Sequence, residues 1–266
     1  MPFHSTNHRS SPPKTSWDAV SDWYADYVSK PGTFQKTVIF PGVIRLLKPE
    51  ADKIYLDIAC GEGAFSRDLA KAAKNTVIGF DASPSLVARA TKIAPKSIRY
   101  FVSDAAKFAH RLEPDSIDGA SCILAIQNIN PCAPVFLQTA RVLKSGAPFV
   151  IVLNHPCFRM PRQSGWGWDD QRKLQYRRVD RYLSSYEMPI LMHPGISAKT
   201  KTYSYHRSLQ EYMNELSHAG FAIDAIEEWV SPKNSDSGPR AKAENTARAE
   251  IPLFMAIRAI KIRSTH

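Results

Sequence analysis

The sequence has few cysteines and no long apolar run. Only four of its 266 residues are cysteine, and no two of them form a Cys-x-x-Cys pair. This disfavours both a disulfide framework and a structural zinc site, so we expect no bound metal and a reducing, cytoplasmic location. No apolar run approaches the roughly 20 residues that a transmembrane helix needs, so we expect no membrane span.

The amino-terminal residues 1–16 are polar, rich in proline and serine, and lack the apolar segment of a signal peptide. We expect a disordered tail there. The remaining length suits one large domain, or a domain that carries an insertion. The formal net charge is +10, yet no four consecutive residues are Lys or Arg. Nucleic acid is therefore less favoured as a partner than a small molecule, and stays open as an alternative.

A glycine-containing turn separates a short apolar strand from a helix. The strand is predicted over 53–58 and the helix over 64–73, with Gly61 and Gly63 between them. Glycine has no Cβ, so it can adopt positive φ and let a ligand approach the backbone. The helix N-terminus adds unpaired N–H groups. The pattern therefore predicts a ligand-binding turn.

Two nucleotide-binding interpretations compete for this turn. The dinucleotide fingerprint Gly-x-Gly-x-x-Gly needs a third glycine, and Ser66 stands at that position. Asp57, at the end of the first strand, offers a carboxylate. Its negative charge does not attract a pyrophosphate, whereas it suits a ligand with an amino group and a sulfonium. The residues favour the second ligand, and a nicotinamide-dependent oxidoreductase is the weaker alternative.

The first motif resembles that of a known family. The run is Leu56-Asp57-Ile58-Ala59-Cys60-Gly61-Glu62-Gly63. It resembles the Asp-x-Gly-x-Gly-x-Gly motif of class I S-adenosylmethionine-dependent methyltransferases, in particular the type 11 group of ubiquinone and menaquinone biosynthesis enzymes and their relatives, with Ala59 at the first glycine. The resemblance covers residues 17–154 and resumes weakly over 203–260. It implies methyl transfer as the activity and S-adenosyl-L-methionine as the cofactor.

Two further acids follow strands. Asp81 ends a strand predicted over 76–81, 24 residues after Asp57, and Asp104 follows the third predicted strand. Because ligands bind at the carboxyl ends of parallel strands, the three acids should lie at one edge of a sheet. A carboxylate in the position of Asp81 can accept both ribose hydroxyls. The resemblance implies that Asp104 binds the adenine amino group and that the N–H of Ala105 reaches the ring.

Residues 17–50 are predicted to form lid helices. The first has an aromatic face, and its Trp-Asp-x-x-x-x-Trp-Tyr pattern resembles a lid in which Tyr24 closes on the methionine moiety; a helix packed on the core is the alternative. The predicted cofactor-binding residues are thus Tyr24, Asp57, Ala59, Gly61, Gly63, Asp81, Ala82, Asp104 and Ala105.

The alternation of strands and helices, together with the resemblance, predicts an α/β fold. We expect a Rossmann-like, mostly parallel seven-stranded sheet with an antiparallel last strand, helices on both faces and a cap insertion. The S-adenosylmethionine-binding core should occupy residues 51–154, and its C-terminal part residues 207–266.

Residues 155–206 interrupt this alternation. They carry nine Lys or Arg against four Asp or Glu, and several large aromatics. Long ordered insertions are usually functional, so we expect a cap over the substrate pocket; a solvated surface with a small satellite core is the alternative. If the acceptor is a small anion, one or two of Arg177, Arg178 and Arg181 should face the pocket, whereas for RNA they should face outward.

His155, just after the fifth predicted strand, is the candidate catalytic base, because histidine titrates near neutral pH. A structural histidine is the alternative. Other candidate bases are Tyr176, Asp180, His193 and His206. The leading hypothesis is a methyltransferase for a small-molecule acceptor, and an RNA or protein methyltransferase is the alternative. The residues leave the methylated atom and the oligomeric state open.

Overall fold

The computed structural model describes Val28 and residues 30–74, 76–190 and 202–262. The predicted tail, the first lid helix with Tyr24, and His193 lie outside these residues. The strands are β1 Ile54–Ile58, β2 Thr76–Asp81, β3 Ile98–Val102, β4 Gly119–Ile123, β5 Pro148–Asn154, β6 Ser164–Asp169, β7 Leu174–Val179, β8 Tyr186–Ile190, β9 Thr202–His206, β10 Phe221–Trp229 and β11 Phe254–Lys261. The α-helices are α1 Phe40–Leu47, α2 Ala64–Ala73, α3 Pro84–Lys92, α4 Ala133–Val142, α5 Leu209–His218 and α6 Ala241–Glu250.

Seven strands form the central sheet in the order β10-β11-β5-β4-β1-β2-β3. The strand β11 runs antiparallel to both of its neighbours, and the other six strands are parallel to one another. The predicted fold class is confirmed. Because β1 lies between β2 and β4, the turn that follows it lies at the centre of the sheet edge where the parallel strands end.

Both faces of the sheet are covered, which explains why β5 is apolar along its length. Phe149, Ile151 and Leu153 face one core, which also contains Phe136 of α4. Val150 and Val152 face the other core, together with side chains of α1 and α2. The alternation along one strand thus divides the interior into two layers.

The helices near the site follow from local sequence. Helix α2 occupies the predicted residues 64–73 and begins directly after Gly63, which has a left-handed φ of 78°. Helix α3 begins with Pro84 after Ser83, whose hydroxyl accepts a hydrogen bond from the N–H of Leu86. Helix α1 is preceded by a π-helical turn, Gln35–Ile39.

The predicted cap consists of two hairpins. The first, β6–β7, packs on α6, where the Arg240 guanidinium lies 4.5 Å from the centre of the Trp168 ring. The second, β8–β9, packs on the 3₁₀ turn Ile126–Asn128 that follows β4. Only the second hairpin therefore reaches the edge of the sheet where the predicted site lies. Among the described helices, none has the length and apolar character to cross a bilayer.

Candidate functional site

The turn after β1 has an unusual backbone. Ala59, Gly61 and Gly63 all have positive φ, of 55°, 57° and 78°. A Cβ on Gly63 would lie 2.2 Å from the hydroxyl oxygen of Tyr100, so this glycine is required by packing. Gly61 instead lines a cavity, which we call the wide cavity. Packing against Tyr100 therefore constrains Gly63, whereas Gly61 lies against the cavity.

Asp81 holds the turn in place. Its Oδ2 accepts a hydrogen bond from the N–H of Gly61 at 3.0 Å, and its Oδ1 accepts one from the N–H of Ser83 at 2.9 Å. Asp81 and the adjacent Ala82 also line the wide cavity. The carboxylate at the end of β2 thus links the glycine turn after β1 to the start of α3.

The wide cavity has a volume of about 360 Å³ and lies at the carboxyl ends of the parallel strands. Six of the predicted cofactor-binding residues line it: Ala59, Gly61, Asp81, Ala82, Asp104 and Ala105. Asp104 is exposed, and its Oδ1 accepts a hydrogen bond from the N–H of Ala106 at 2.8 Å. Leu86 adds an apolar surface that the strand pattern had not indicated.

Asp57 lies in a second, narrow cavity that shares Ala59 with the wide one. The carboxylate is buried, and it accepts hydrogen bonds from the hydroxyls of Ser66 at 2.6 Å and Ser121 at 3.1 Å. Burial, outweighing these hydrogen bonds, raises the pKa of Asp57 to about 6. Gln35 lines the same cavity, and its buried Oε1 has no hydrogen-bond partner among the described residues. We call this space the Asp57 cavity.

The far wall of the wide cavity comes from two distant segments. Asn128, Ile129 and Asn130 follow β4, and Thr202, Tyr203 and Tyr205 belong to β9. The resemblance indicates the segment Ala125–Ile129 as one that closes over the methionine end of the cofactor, whereas sequence reasoning missed the part of the wall that β9 forms, although its alternating tyrosines indicate one strand face.

Arg207 joins the two segments. It is buried and donates hydrogen bonds of 2.8 Å to the carbonyl of Ile129 and to the Oδ1 of Asn130. Its Nε lies 3.3 Å from a carboxylate oxygen of Glu211. Because a guanidinium can only donate, it fixes the Asn130 amide with its oxygen toward Arg207 and leaves the Nδ2 group for other partners.

His155 does not reach either cavity. It is buried, its Nε2 lies 2.7 Å from an oxygen of Glu228, and its Nδ1 accepts the N–H of Cys157. With Nδ1 accepting, Nε2 carries the proton and donates to Glu228. Burial lowers the pKa of His155, and both ring nitrogens are occupied. The geometry therefore contradicts the expectation of a catalytic base and favours the structural alternative.

The other predicted bases that the structure describes, Tyr176, Asp180 and His206, and the predicted arginines do not line the wide cavity. Arg178 pairs with Asp180 at 2.9 Å, and the guanidinium of Arg181 lies 5.6 Å from the centre of the Tyr186 ring. The ring of His206 lies 2.7 Å from the carbonyl of Tyr182. None of the three arginines named from the sequence lines this cavity, so the expectation for a small anion in it is not met.

Comparison with known proteins agrees with this geometry. Residues 56–151 match the profile of the family described as "Methyltransferase domain". No curated protein matches the chain. Among solved structures, an S-adenosylmethionine-dependent methyltransferase from Mesorhizobium loti is 29% identical, with a TM-score of 0.65, over 86% of this chain and 98% of that one.

Two more distant structures share the fold. A putative S-adenosylmethionine-dependent methyltransferase from Listeria monocytogenes is 23% identical, with a TM-score of 0.65, over 84% of this chain and 98% of that one. Geranyl diphosphate C-methyltransferase from Streptomyces coelicolor is 12% identical, with a TM-score of 0.56, over 89% and 88%. The comparisons confirm the resemblance to class I S-adenosylmethionine-dependent methyltransferases, and with it the cofactor that the resemblance implies.

Proposed function

We propose that the protein transfers the methyl group of S-adenosyl-L-methionine to a small-molecule acceptor, and that it does so in a reducing cytoplasm, where its four cysteines stay as free thiols. The observation that carries this proposal is the pair of adjoining cavities at the sheet edge. One contains a buried carboxylate, and the other is larger and lined by two further acids. This division suits a ligand with a cationic amino-acid end and a nucleoside end.

The Asp57 cavity suits the amino-acid end of the cofactor. An ammonium group has three donors and no acceptor. It would meet the carboxylate of Asp57 and the buried Oε1 of Gln35, for which the described part of the chain provides no hydrogen-bond partner. The hydroxyl of Ser66, in the position of a third dinucleotide glycine, is bound to Asp57. The oxidoreductase alternative loses support for this reason.

The wide cavity suits the nucleoside end. The carboxylate of Asp81 lines this cavity and only accepts hydrogen bonds, so it is the proposed acceptor for a ribose hydroxyl. Asp104 and the backbone of Ala105 lie along the same cavity and are the proposed contacts of the adenine ring. Leu86 would pack against the bound nucleoside.

When bound, the cofactor supplies a methyl group that is already activated on a sulfonium, so orientation of the acceptor provides much of the rate. The far wall, with Asn130, Tyr203 and Tyr205, is the proposed orienting surface. Over the described residues, no histidine lines the wide cavity.

An RNA acceptor has less support. Basic residues of the first hairpin already pair with neighbouring acids: Lys173 at its tip lies 3.1 Å from Asp170, and Arg178 of β7 lies 2.9 Å from Asp180. Such pairing reduces the charge that is available for phosphates. Filter binding of total RNA at two salt concentrations tests this alternative, and tight, salt-sensitive retention would favour it over a small molecule.

The first expected result concerns ligand choice. Isothermal titration should detect S-adenosylhomocysteine with a dissociation constant on the order of micromolar, and should detect no binding of NAD. The reason is that Asp57 attracts an ammonium group and would repel a pyrophosphate. Binding of NAD with no response to S-adenosylhomocysteine would end the methyltransferase proposal.

The second expected result concerns pH. Because burial raises the pKa of Asp57 from 3.8 to about 6, the ligand-free protein carries a proton on this carboxyl below that pH. A cationic amino group favours the ionised form, so the affinity for S-adenosylhomocysteine should fall about tenfold per pH unit below 6. Because the pKa of Asp57 is higher in the folded than in the unfolded protein, the free energy of unfolding should fall as pH rises from about 4 to 6.

The variant Asp57→Asn keeps the shape of the side chain but cannot ionise. It should bind S-adenosylhomocysteine weakly at every pH and should lose the dependence near pH 6. Titrations of both proteins between pH 5 and 8, with thermal unfolding as a check on folding, make the measurement. An equal pH dependence in the two proteins would assign the titration to another group.

A further inference from the structure

Three arginines from separate elements lie near one another beside the first hairpin. Arg159 belongs to the loop between β5 and β6, Arg177 to β7 and Arg248 to α6. All three are partly buried. Desolvation by burial, followed by the charges of Arg177 and Arg248, lowers the pKa of Arg159 to about 10. We call this group the arginine cluster.

The cluster lacks a compensating acid. The side chain of Arg159 forms no hydrogen bond or ion pair with any residue that the structure describes, and its Nε is buried. Its guanidinium lies 5.4 Å from the centre of the Trp166 ring, and that of Arg177 lies 5.2 Å from the same ring. Packing thus holds two cations against one indole while leaving their charge unneutralised.

The cluster is also fixed in position. Arg177 donates from Nε to the carbonyl of Phe158 at 2.7 Å and from Nη2 to the hydroxyl of Ser164 at 2.9 Å. Arg248 donates from Nε to the hydroxyl of Ser235 at 3.1 Å. Each guanidinium has five donors, so both keep N–H groups beyond these bonds. The arrangement is preorganised and does not depend on free surface side chains.

The contrast with the rest of the hairpin is informative. Arg172, Lys173 and Arg178 are exposed, and each lies within 4 Å of an aspartate oxygen. Within the first hairpin and the loop before it, the exposed cations thus have acids beside them, whereas no acid among the described residues pairs with Arg159 or Arg177. Leaving cations desolvated and unpaired costs free energy, which an anionic ligand would recover.

We propose that the arginine cluster binds a small oxyanion of the phosphate type. Guanidinium groups match the oxygens of phosphate with paired hydrogen bonds, and three of them suit a multiply charged group. A small anion fits better than RNA because the unpartnered Nε of Arg159 is buried. The site stands on its own contacts and does not depend on the proposed methyl transfer.

The test uses the full chain and pyrophosphate as the probe. Thermal unfolding should show a saturable rise in Tm with pyrophosphate, and a smaller one with inorganic phosphate, relative to sodium chloride at equal ionic strength. Arg159→Met should abolish the rise and, without the anion, should unfold at the same temperature as the wild type or higher, because repulsion is relieved. Arg159→Lys, which keeps the charge but loses the fork, should retain a weaker response.

Arg172→Met is the matched control, because Arg172 lies in the same segment and pairs with Asp169. It should respond to pyrophosphate as the wild type does. No saturable rise in the wild type, or an equal rise in Arg159→Met, would overturn the proposal. Sedimentation with phosphatidic acid vesicles distinguishes a lipid source: retention that depends on Arg159, with no response to pyrophosphate, would also overturn it in favour of a membrane surface.

Discussion

Gly61→Val should reduce binding of S-adenosylhomocysteine below detection while leaving the central sheet folded. Gly61 lines the wide cavity, so a branched side chain there would project into the proposed ligand space. The residue also has a φ of 57°, which a β-branched residue resists, at a cost on the order of 1–3 kcal/mol. Any shift of the turn would disturb the hydrogen bond from its N–H to Asp81.

Gly146→Val separates the backbone cost from the loss of ligand space. Gly146 has a φ of 81°, lies before β5 at the opposite edge of the sheet, and a Cβ there would meet no atom within 4 Å. This variant should lose comparable stability and bind the ligand normally. Calorimetry and thermal unfolding of both variants make the comparison. Normal binding by a folded Gly61→Val protein would disprove the assignment of this turn.

Much of the cofactor side could be predicted because its signals are local. The apolar strands β1 and β2 each end in or near an acid, and the parallel-sheet rule brings these ends to one edge. Asp57, Gly61 and Asp81 needed no knowledge of distant contacts. The helix α2 was predicted with its observed bounds for the same reason, since a glycine turn marks its start.

The proposed acceptor side could not be predicted because it depends on distant contacts. Asn130 and Tyr205 lie 75 positions apart along the chain and line the same cavity, and Arg207, two residues after Tyr205, binds the side chain of Asn130. His155 follows the fifth strand as the sequence indicates, yet Glu228 on β10 occupies its Nε2. The position of His155 in the sequence indicates the sheet edge, whereas its role depends on the hydrogen bond to Glu228, which only the tertiary structure shows.

The roles of single residues also depend on packing. Gly63 was predicted to contact the cofactor, and the structure gives it a second constraint, because the ring of Tyr100 occupies the space of its missing side chain. Asp118, which directly precedes β4, accepts hydrogen bonds from the N–H of Ile54 and from Lys144. An acid at a sheet edge thus becomes a site residue only when the core leaves it open to a cavity.

Asp81 combines both roles, and its removal should therefore have two separable effects. The sequence pattern alone indicates a pocket-edge carboxylate whose loss leaves stability unchanged. The structure changes that expectation, because the carboxylate accepts hydrogen bonds from the N–H groups of Gly61 and Ser83. Loss of these bonds should lower the free energy of unfolding by about 1–3 kcal/mol.

Asp81→Ala should also weaken S-adenosylhomocysteine binding by roughly 1.5–3 kcal/mol, the usual size of hydrogen bonds to a charged group. Asp81→Asn keeps one oxygen and should lose less affinity than the alanine variant. Asp104→Ala is the comparison for a cavity acid that supports only the N–H of Ala106, so it should weaken binding with little change in Tm. Titration calorimetry at pH 7.5 measures the affinity, and thermal unfolding without ligand measures the stability. If Asp81→Ala lowers Tm but leaves the affinity unchanged, the carboxylate serves the turn alone and the ribose contact is wrong.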